Sequence, residues 1–401
     1  MRFPFSVVVV VAAMFAACAL APTGADAAPP IDTGAIVSQT IRPLMKRYGI
    51  PGMSIGVTID GRHETFAYGV ASKATGRRVD SSTLFEIGSI TKTFTASLVA
   101  YAVRLGKLSL ADRVGADYSP LRGTSFDRIR LVHLGTHTTG GLPLQFPDAV
   151  VTDADAMRYY QQWKPLHPAG TSRLYSNPSI MLLGVIAAAR MDANFTTLMQ
   201  RDLFAPLGLH HTFLDVPARL QSHYAQGYTD DDTPHRMSPG PLAPEAYGIR
   251  TTASDLLRFL DANMNELPLR EPLRRSIIDT HTGYFRIGAM TQDLIWEQYR
   301  YPVAWSALLQ GNSDQLIFEE NPAAKIDPFA PPTNNAMLDK TGSTSGFSAY
   351  VAFIPSEKIG IVLLANKAYP IDARIAAAYH ILTRLDARTP KPRRTNSTAR
   401  V

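Results

Sequence analysis

Apolar residues recur at helical spacing near the start of the chain, where Ile36, Val37, Ile41, Leu44, Met45 and Tyr48 share one face and Gly49 follows as a stop. The period then changes to two. Residues 53–59 alternate and are rich in β-branched side chains, Asp60-Gly61 is a hairpin turn signal, and residues 65–70 read as the returning strand. Helical spacing returns over 92–105, with Phe94, Leu98, Tyr101 and Ala102 on one face. From about residue 106 to 315, short helical patterns alternate with Pro/Gly-rich loops; the clearest are at 181–190 and 256–264. Three strand patterns close the chain, at 337–340, 347–354 and 359–365, with a turn at 355–358, and residues 372–385 read as a final helix.

Both ends therefore supply strands and a flanking helix. The expected fold class is α/β in the α+β sense: one antiparallel sheet built from the two ends, flanked by N- and C-terminal helices, with a mostly helical lobe inserted between them. The α/β lobe takes in about 28–88 and 316–388, and the helical lobe about 89–315. No internal repeat, glycine-rich phosphate loop or zinc-ligand spacing is present.

The two termini are set apart by composition. Arg2 precedes an apolar run over 7–21 that is short for a bilayer span, and Ala25-Asp26-Ala27 supplies a small-x-small cleavage site. Residues 1–27 are read as a signal peptide, which directs the mature chain from about Ala28 to the periplasm; retention as an anchor is the alternative. The only cysteine, Cys18, lies in that segment, so the mature chain has no disulfide, cysteine nucleophile or thiolate metal site. Lipid attachment at Cys18 is the rival reading, which Phe15 fits poorly. Of the net charge of +6, five positive charges (Arg388, Lys391, Arg393, Arg394, Arg400) fall in the last fourteen residues, leaving +1 for the rest. The surplus belongs to a Pro-broken basic tail, 389–401, and not to a nucleic-acid-binding surface.

Three short patterns carry chemistry. Ser89-Ile90-Thr91-Lys92 opens the helical pattern. A serine hydroxyl is a weak nucleophile until its proton is taken. Lys92 lies on the same helix face, and burial or a neighbouring cation lowers a lysine pKa enough to help. The helix start adds N–H groups where an oxyanion would form. Tyr175-Ser176-Asn177 falls in a loop shaped by Pro168, Gly170 and Pro178. A tyrosine near two lysines can be held partly as phenolate and carry a proton from Ser89 to a leaving nitrogen, while Asn177 can offer its amide to a substrate carbonyl and to Lys92. Lys340-Thr341-Gly342 follows at the end of a predicted strand, whose edge can pair with a peptide-like substrate while the Ser343 N–H serves as an oxyanion donor. Gly342 lets backbone approach closely, and Lys340 and Thr341 can bind a carboxylate. Singly, each pattern is also that of a helix cap, a turn or a strand end. Together, once each, in this order and in these settings, they are far more specific.

Over roughly residues 30–388 the chain resembles class C serine β-lactamases, within the wider penicillin-recognising family that includes DD-peptidases. Besides the three motifs, the resemblance rests on Phe85-Glu86-Ile87-Gly88-Ser89-Ile90-Thr91-Lys92-Thr93-Phe94-Thr95, Thr139-Gly140-Gly141-Leu142-Pro143-Leu144-Gln145, Glu245-Ala246-Tyr247-Gly248 and the stretch 340–370. It implies a β-lactamase/DD-peptidase-like fold and hydrolysis of the β-lactam amide of penicillins and cephalosporins through an acyl-enzyme. Water is the second substrate, with no cofactor and no metal. On this resemblance Ser89 is the acylated nucleophile, Lys92 holds its proton network, and Tyr175 is the general base or a conduit with Lys92. Lys340 completes the catalytic set and, with Thr341, faces the substrate carboxylate. Asn177 and Gln145 contact the substrate's amide side chain, Tyr247 lines the pocket wall, the Ser89 and Ser343 amides form the oxyanion hole, and Arg374 adds positive charge.

One departure is Ile371, where many class C enzymes carry an asparagine just after Tyr-Pro. The class A pattern fits poorly, because the second motif is Tyr-Ser-Asn and no matching glutamate is found. His133/His137 and His210/His211 do not form a metal array and read as structural. The competing functions are a DD-peptidase or esterase on the same scaffold, and a non-catalytic β-lactam sensor. A monomer is the expected state, free of nucleic acid and, after leader cleavage, of membrane.

Overall fold

The computed structural model describes residues 32–388 apart from Pro239; the signal peptide expected at 1–27 and the basic tail expected at 389–401 lie outside the described residues. Helix α1, Thr33–Tyr48, starts at Asp32, whose carboxylate accepts from the Ala35 amide, and stops at Gly49 in the left-handed region. Strands β1 (Gly52–Ile59) and β2 (Arg62–Gly69) are joined through Asp60 (φ 50°) and Gly61 (φ 71°), the two positive φ values that a tight hairpin turn requires.

Seven later strands complete one antiparallel sheet: β3 (Gly283–Ile287), β4 (Met290–Gln292), β5 (Glu297–Arg300), β6 (Ala324–Ala330), β7 (Ala336–Thr344), β8 (Phe347–Ile354) and β9 (Ile359–Ala365). Their order is β6-β3-β4-β5-β7-β8-β9-β1-β2. The two ends of the chain meet where β1 pairs with β9, from Met53 opposite Ala365 to Ile59 opposite Ile359. Both ends contribute to the sheet as the sequence implies, but β3, β4 and β5 come from within 89–315, the stretch read as the helical lobe. Strands β3 to β6 are additions that the apolar pattern does not announce. The strand expected at 337–340 runs on to Thr344, so Lys340-Thr341-Gly342 lies inside β7 and not at its end.

The sheet separates two apolar layers. On one face Ile55, Val57, Tyr350, Ile361 and Leu363 pack with Ile36, Val37 and Ile41 of α1 and with Ile375, Ile381 and Leu385 of the closing helix, Ile371–Arg388. On the other, Val351, Phe353, Val362 and Leu364 pack with Phe94 and Leu98 of the helix Thr91–Arg104 and with Leu256, Leu257 and Leu260 of the helix Ala253–Asn263. A third cluster, built on Phe126, Leu131, Tyr160, Leu182, Leu183 and Ile186, fills the helical region. Its central helix, Asn177–Arg190, is capped by the Ser176 hydroxyl and buried on nearly all sides. That burial fixes Tyr175 and Asn177 at the helix start, where Tyr160 Oη also donates to the Pro178 carbonyl at 2.7 Å.

Candidate active site

The site begins with two glycines. Gly88 (φ 49°) opens the short turn Gly88–Ile90 ahead of the helix Thr91–Arg104. A Cβ on Gly88 would sit 2.6 Å from the Ser343 nitrogen, and one on Gly342 would sit 1.9 Å from the Ile87 carbonyl oxygen. Backbone therefore rests on backbone, which only residues without a Cβ permit. This contact brings Ser89, on the helical side, and Ser343, on the sheet, into the wall of one cavity of about 500 Å³.

Lys92 follows one turn after Ser89 and is completely buried. Its Nζ donates to Ser89 Oγ at 2.8 Å and to the Ala246 carbonyl at 3.0 Å. Burial lowers its pKa to about 8, with Lys340 acting the same way and Tyr175 and Glu297 acting against it. The expected Asn177–Lys92 contact is not the one formed: Asn177 Oδ1 is buried without a hydrogen-bond partner, and the backbone of Ala246 takes the lysine instead.

Tyr175 is ringed by cations. Lys340 Nζ, Lys92 Nζ and Arg173 Cζ lie 5.1, 5.4 and 5.5 Å from its ring centre. Burial works against a phenolate. Lys340, Lys92 and the Ser89 hydroxyl more than offset it, in that order, and hold the phenol below the ordinary tyrosine range. His137 packs against Tyr175 with its ring tilted by 39°, the two centroids 4.4 Å apart. Burial and the cations Arg173, Lys92 and Lys340 keep it neutral, so it titrates well below the usual histidine range.

Lys340 is anchored from β5. Its Nζ lies 3.7 Å from Glu297 Oε1, which is also 3.1 Å from Arg173 Nη2. Arg173 is buried and donates further to Gln292 Oε1 and the Leu316 carbonyl, both at 2.7 Å. Burial opposes the charge of Lys340, but Glu297, Tyr175 and Asp339 outweigh it, and the lysine stays above its ordinary range. A fixed cation thus faces the cavity. Sequence reasoning missed Arg173, Glu297 and the Ala246 carbonyl: a lone arginine or glutamate outside a motif gives no signal until the fold pairs it.

The pairing of β7 leaves an edge at the site. Strand β5 faces only Ala336 to Asp339, whereas Lys340 to Thr344 have β8 on one side and line the cavity. Gln145, Asn177, Tyr247, Thr341 and Ser343 all line it with Ser89, Tyr175 and Lys340. Burial, and then Glu245, hold the Tyr247 phenol above its usual range, so it stays neutral. Ile371 lines the cavity too, as do Leu316, Ile317 and Phe318. Arg374 does not line it. It is buried beneath β7 and donates to the Gly342 carbonyl (2.8 Å), Ser343 Oγ (3.0 Å), Ser348 Oγ (3.0 Å) and the Tyr369 carbonyl (2.7 Å). Its positive charge lies near the cavity from beneath, where it also braces the strand. His133, His137, His210 and His211 belong to no metal-holding group among the described residues.

The β-lactamase family model matches residues 37–385. A β-lactamase from Lysobacter lactamgenus is 47% identical over 346 residues, which span 86% of this chain and 90% of that protein. A D-alanine carboxypeptidase AmpC structure from Burkholderia cenocepacia superposes with a TM-score of 0.84 at 50% identity, covering 88% of this chain and 99% of that one. A class C β-lactamase in complex with cefoxitin gives 0.86 at 45% identity, covering 88% and 100%.

Proposed function

Because the chain belongs to the β-lactamase family, among its class C serine enzymes, we propose that it hydrolyses the β-lactam amide of penicillins and cephalosporins through an acyl-enzyme on Ser89. The observation that carries the residue assignment is the 2.8 Å contact between Lys92 Nζ and Ser89 Oγ, set beside a tyrosine whose phenol is lowered by two lysines.

The steps follow from the groups present. The Tyr175 phenolate, poised by Lys92 and Lys340, takes the proton of Ser89 as Oγ attacks the lactam carbonyl. The carbonyl π electrons move onto oxygen, and the Ser89 and Ser343 amides hold the oxyanion. Collapse of the tetrahedral species breaks the C–N bond, and the proton now on Tyr175 passes to the leaving nitrogen. A water molecule then attacks the ester with the same phenolate as base, and Ser89 is regenerated. Lys340 and Thr341 hold the substrate carboxylate, the open edge of β7 pairs with the substrate amide, and Gln145, Asn177 and Tyr247 bound its side chain. The mature enzyme acts in the periplasm, a reading supported by the leader-like composition of residues 1–27.

The second reading is a D-alanine carboxypeptidase, the activity named for the Burkholderia structure. The same groups would acylate on a peptide. The two separate at deacylation. Mixing the enzyme with a chromogenic cephalosporin should give sustained turnover that Ser89→Ala abolishes while leaving the fold intact. A stoichiometric burst with a persistent adduct by intact mass would replace the lactamase reading with the peptidase one.

A further inference from the structure

Asp339 has no part in the chemistry above, yet it immediately precedes Lys340 and is completely buried. Its Oδ2 accepts from Tyr350 Oη at 2.7 Å and from Asn312 Nδ2 at 2.9 Å, while Oδ1 has no hydrogen-bond partner. Across the sheet it stands directly opposite Glu297, so two carboxyls share one rung of the ladder. Glu297 is already engaged with Arg173 and Lys340. The other groups facing Asp339 are Tyr299 on β5 and Tyr350 on β8, both kept neutral by burial and by Asp339 itself, and Lys340 on its own strand. Asn312, whose amide Asp339 holds, ends the helix Trp305–Gly311 and lines the cavity.

A carboxyl oxygen buried without a donor is far more costly as a carboxylate than as an acid. A second acid beside it opposes ionisation further. Burial first, and Glu297 next, push the Asp339 carboxyl up to about 7, against the hydrogen bonds from Tyr350 and Asn312 and the charge of Lys340. With the proton on, Glu297 is the one carboxylate behind Lys340 and Arg173, and Tyr175 is the other group that favours the lysine's charge. With it off, Asp339 adds a second carboxylate behind Lys340.

We propose that Asp339 is a proton-linked positioning residue: its neutral form leaves the Lys340 charge free to hold the substrate carboxylate, and its ionised form draws that charge back toward the sheet. The proposal rests on the reading of Lys340 as the carboxylate site. It is tested by the KM of the enzyme for an anionic chromogenic cephalosporin, followed from about pH 5.5 to about pH 8.5. KM should rise about ten- to twentyfold as the pH climbs through neutrality, the factor expected of one charge at about 10 Å and an effective dielectric of about 20. Asp339→Asn keeps a carbonyl acceptor and never ionises, so its KM should stay at the low-pH value throughout. Tyr350→Phe removes a hydrogen bond that favours the carboxylate and should move the inflection to higher pH. A flat wild-type profile, or an Asp339→Asn profile that rises like the wild type, overturns the proposal. Should Asp339→Asn fail to fold, an unmoved inflection in Tyr350→Phe overturns it equally. Absence of turnover at every pH would instead remove the hydrolytic reading, and the proposal with it.

Discussion

Residues Ala336 to Asp339 of β7 are paired with β5, whereas Lys340 to Thr344 of the same strand face the cavity on that side. The first half carries Met337 and Leu338, one into each apolar layer. The second carries Lys340, Thr341 and the backbone of Gly342 and Ser343. A single strand is thus framework at one end and binding edge at the other, and β5 makes the division by starting at Glu297, opposite Asp339. A site can thus be rigid without being closed: the open half borrows its order from the paired half, from β8 and from Arg374 beneath it.

If the division is real, the largest effect on catalysis should come from the point where the open half touches the nucleophile. Gly342→Ala places a methyl group 1.9 Å from the Ile87 carbonyl oxygen, and something must move. The segment nearest to yield carries Ser89. A displacement of about 1 Å costs about 10²-fold in rate, and loss of an oxyanion donor about 10²–10³-fold. The expected result is a fall in kcat/KM of about 10³, measured by steady-state hydrolysis of the folded variant. Near-full activity would mean that the close backbone contact does not set the site.

The paired half should answer in stability instead. Leu338 is completely buried in the layer shared with the helices Thr91–Arg104 and Ala253–Asn263. Leu338→Ala should cost about 2–5 kcal/mol by urea unfolding, with kcat changed by less than about threefold where the protein is still folded. A large loss of kcat at unchanged stability would erase the distinction between the two halves.

The same contrast explains what could be read from the sequence. The β1–β2 hairpin, the strands β8 and β9 and the chemical motifs were legible because each follows a local rule: alternation, a tight-turn dipeptide, a serine one turn before a lysine. Strand β5 obeys none. Its four residues, Glu-Gln-Tyr-Arg, carry no apolar alternation, because its buried Glu297 is held by Arg173 and Lys340 and not by hydrocarbon. Strand β6 is mostly exposed and contains Pro328, which speaks against a central strand and suits the edge it occupies. The helix Asn177–Arg190 was expected to begin only at 181, since burial on nearly all sides leaves little amphipathic stripe to mark its first turn. Arg374 was expected to add positive charge nearby. Nothing in its local sequence shows that its guanidinium also satisfies carbonyls and hydroxyls of the framework.

The smallest and most discriminating change lies one residue inside the open half. Thr341→Val preserves shape and β-branching and removes only a hydroxyl, on a side chain that is 8% exposed and borders the cavity. Placing a methyl where the hydroxyl was adds no backbone strain, so unfolding free energy should change by no more than about 0.5 kcal/mol. A hydrogen bond to a charged carboxylate is worth about 1.5–3 kcal/mol when both partners are desolvated, and less where water reaches the open edge. KM for an anionic cephalosporin should therefore rise about three- to tenfold with kcat nearly constant, because the contact is made equally in ground and transition states. A variant that lost stability while KM stayed fixed would make Thr341 part of the framework, and the boundary between the two halves would have to move toward Ser343.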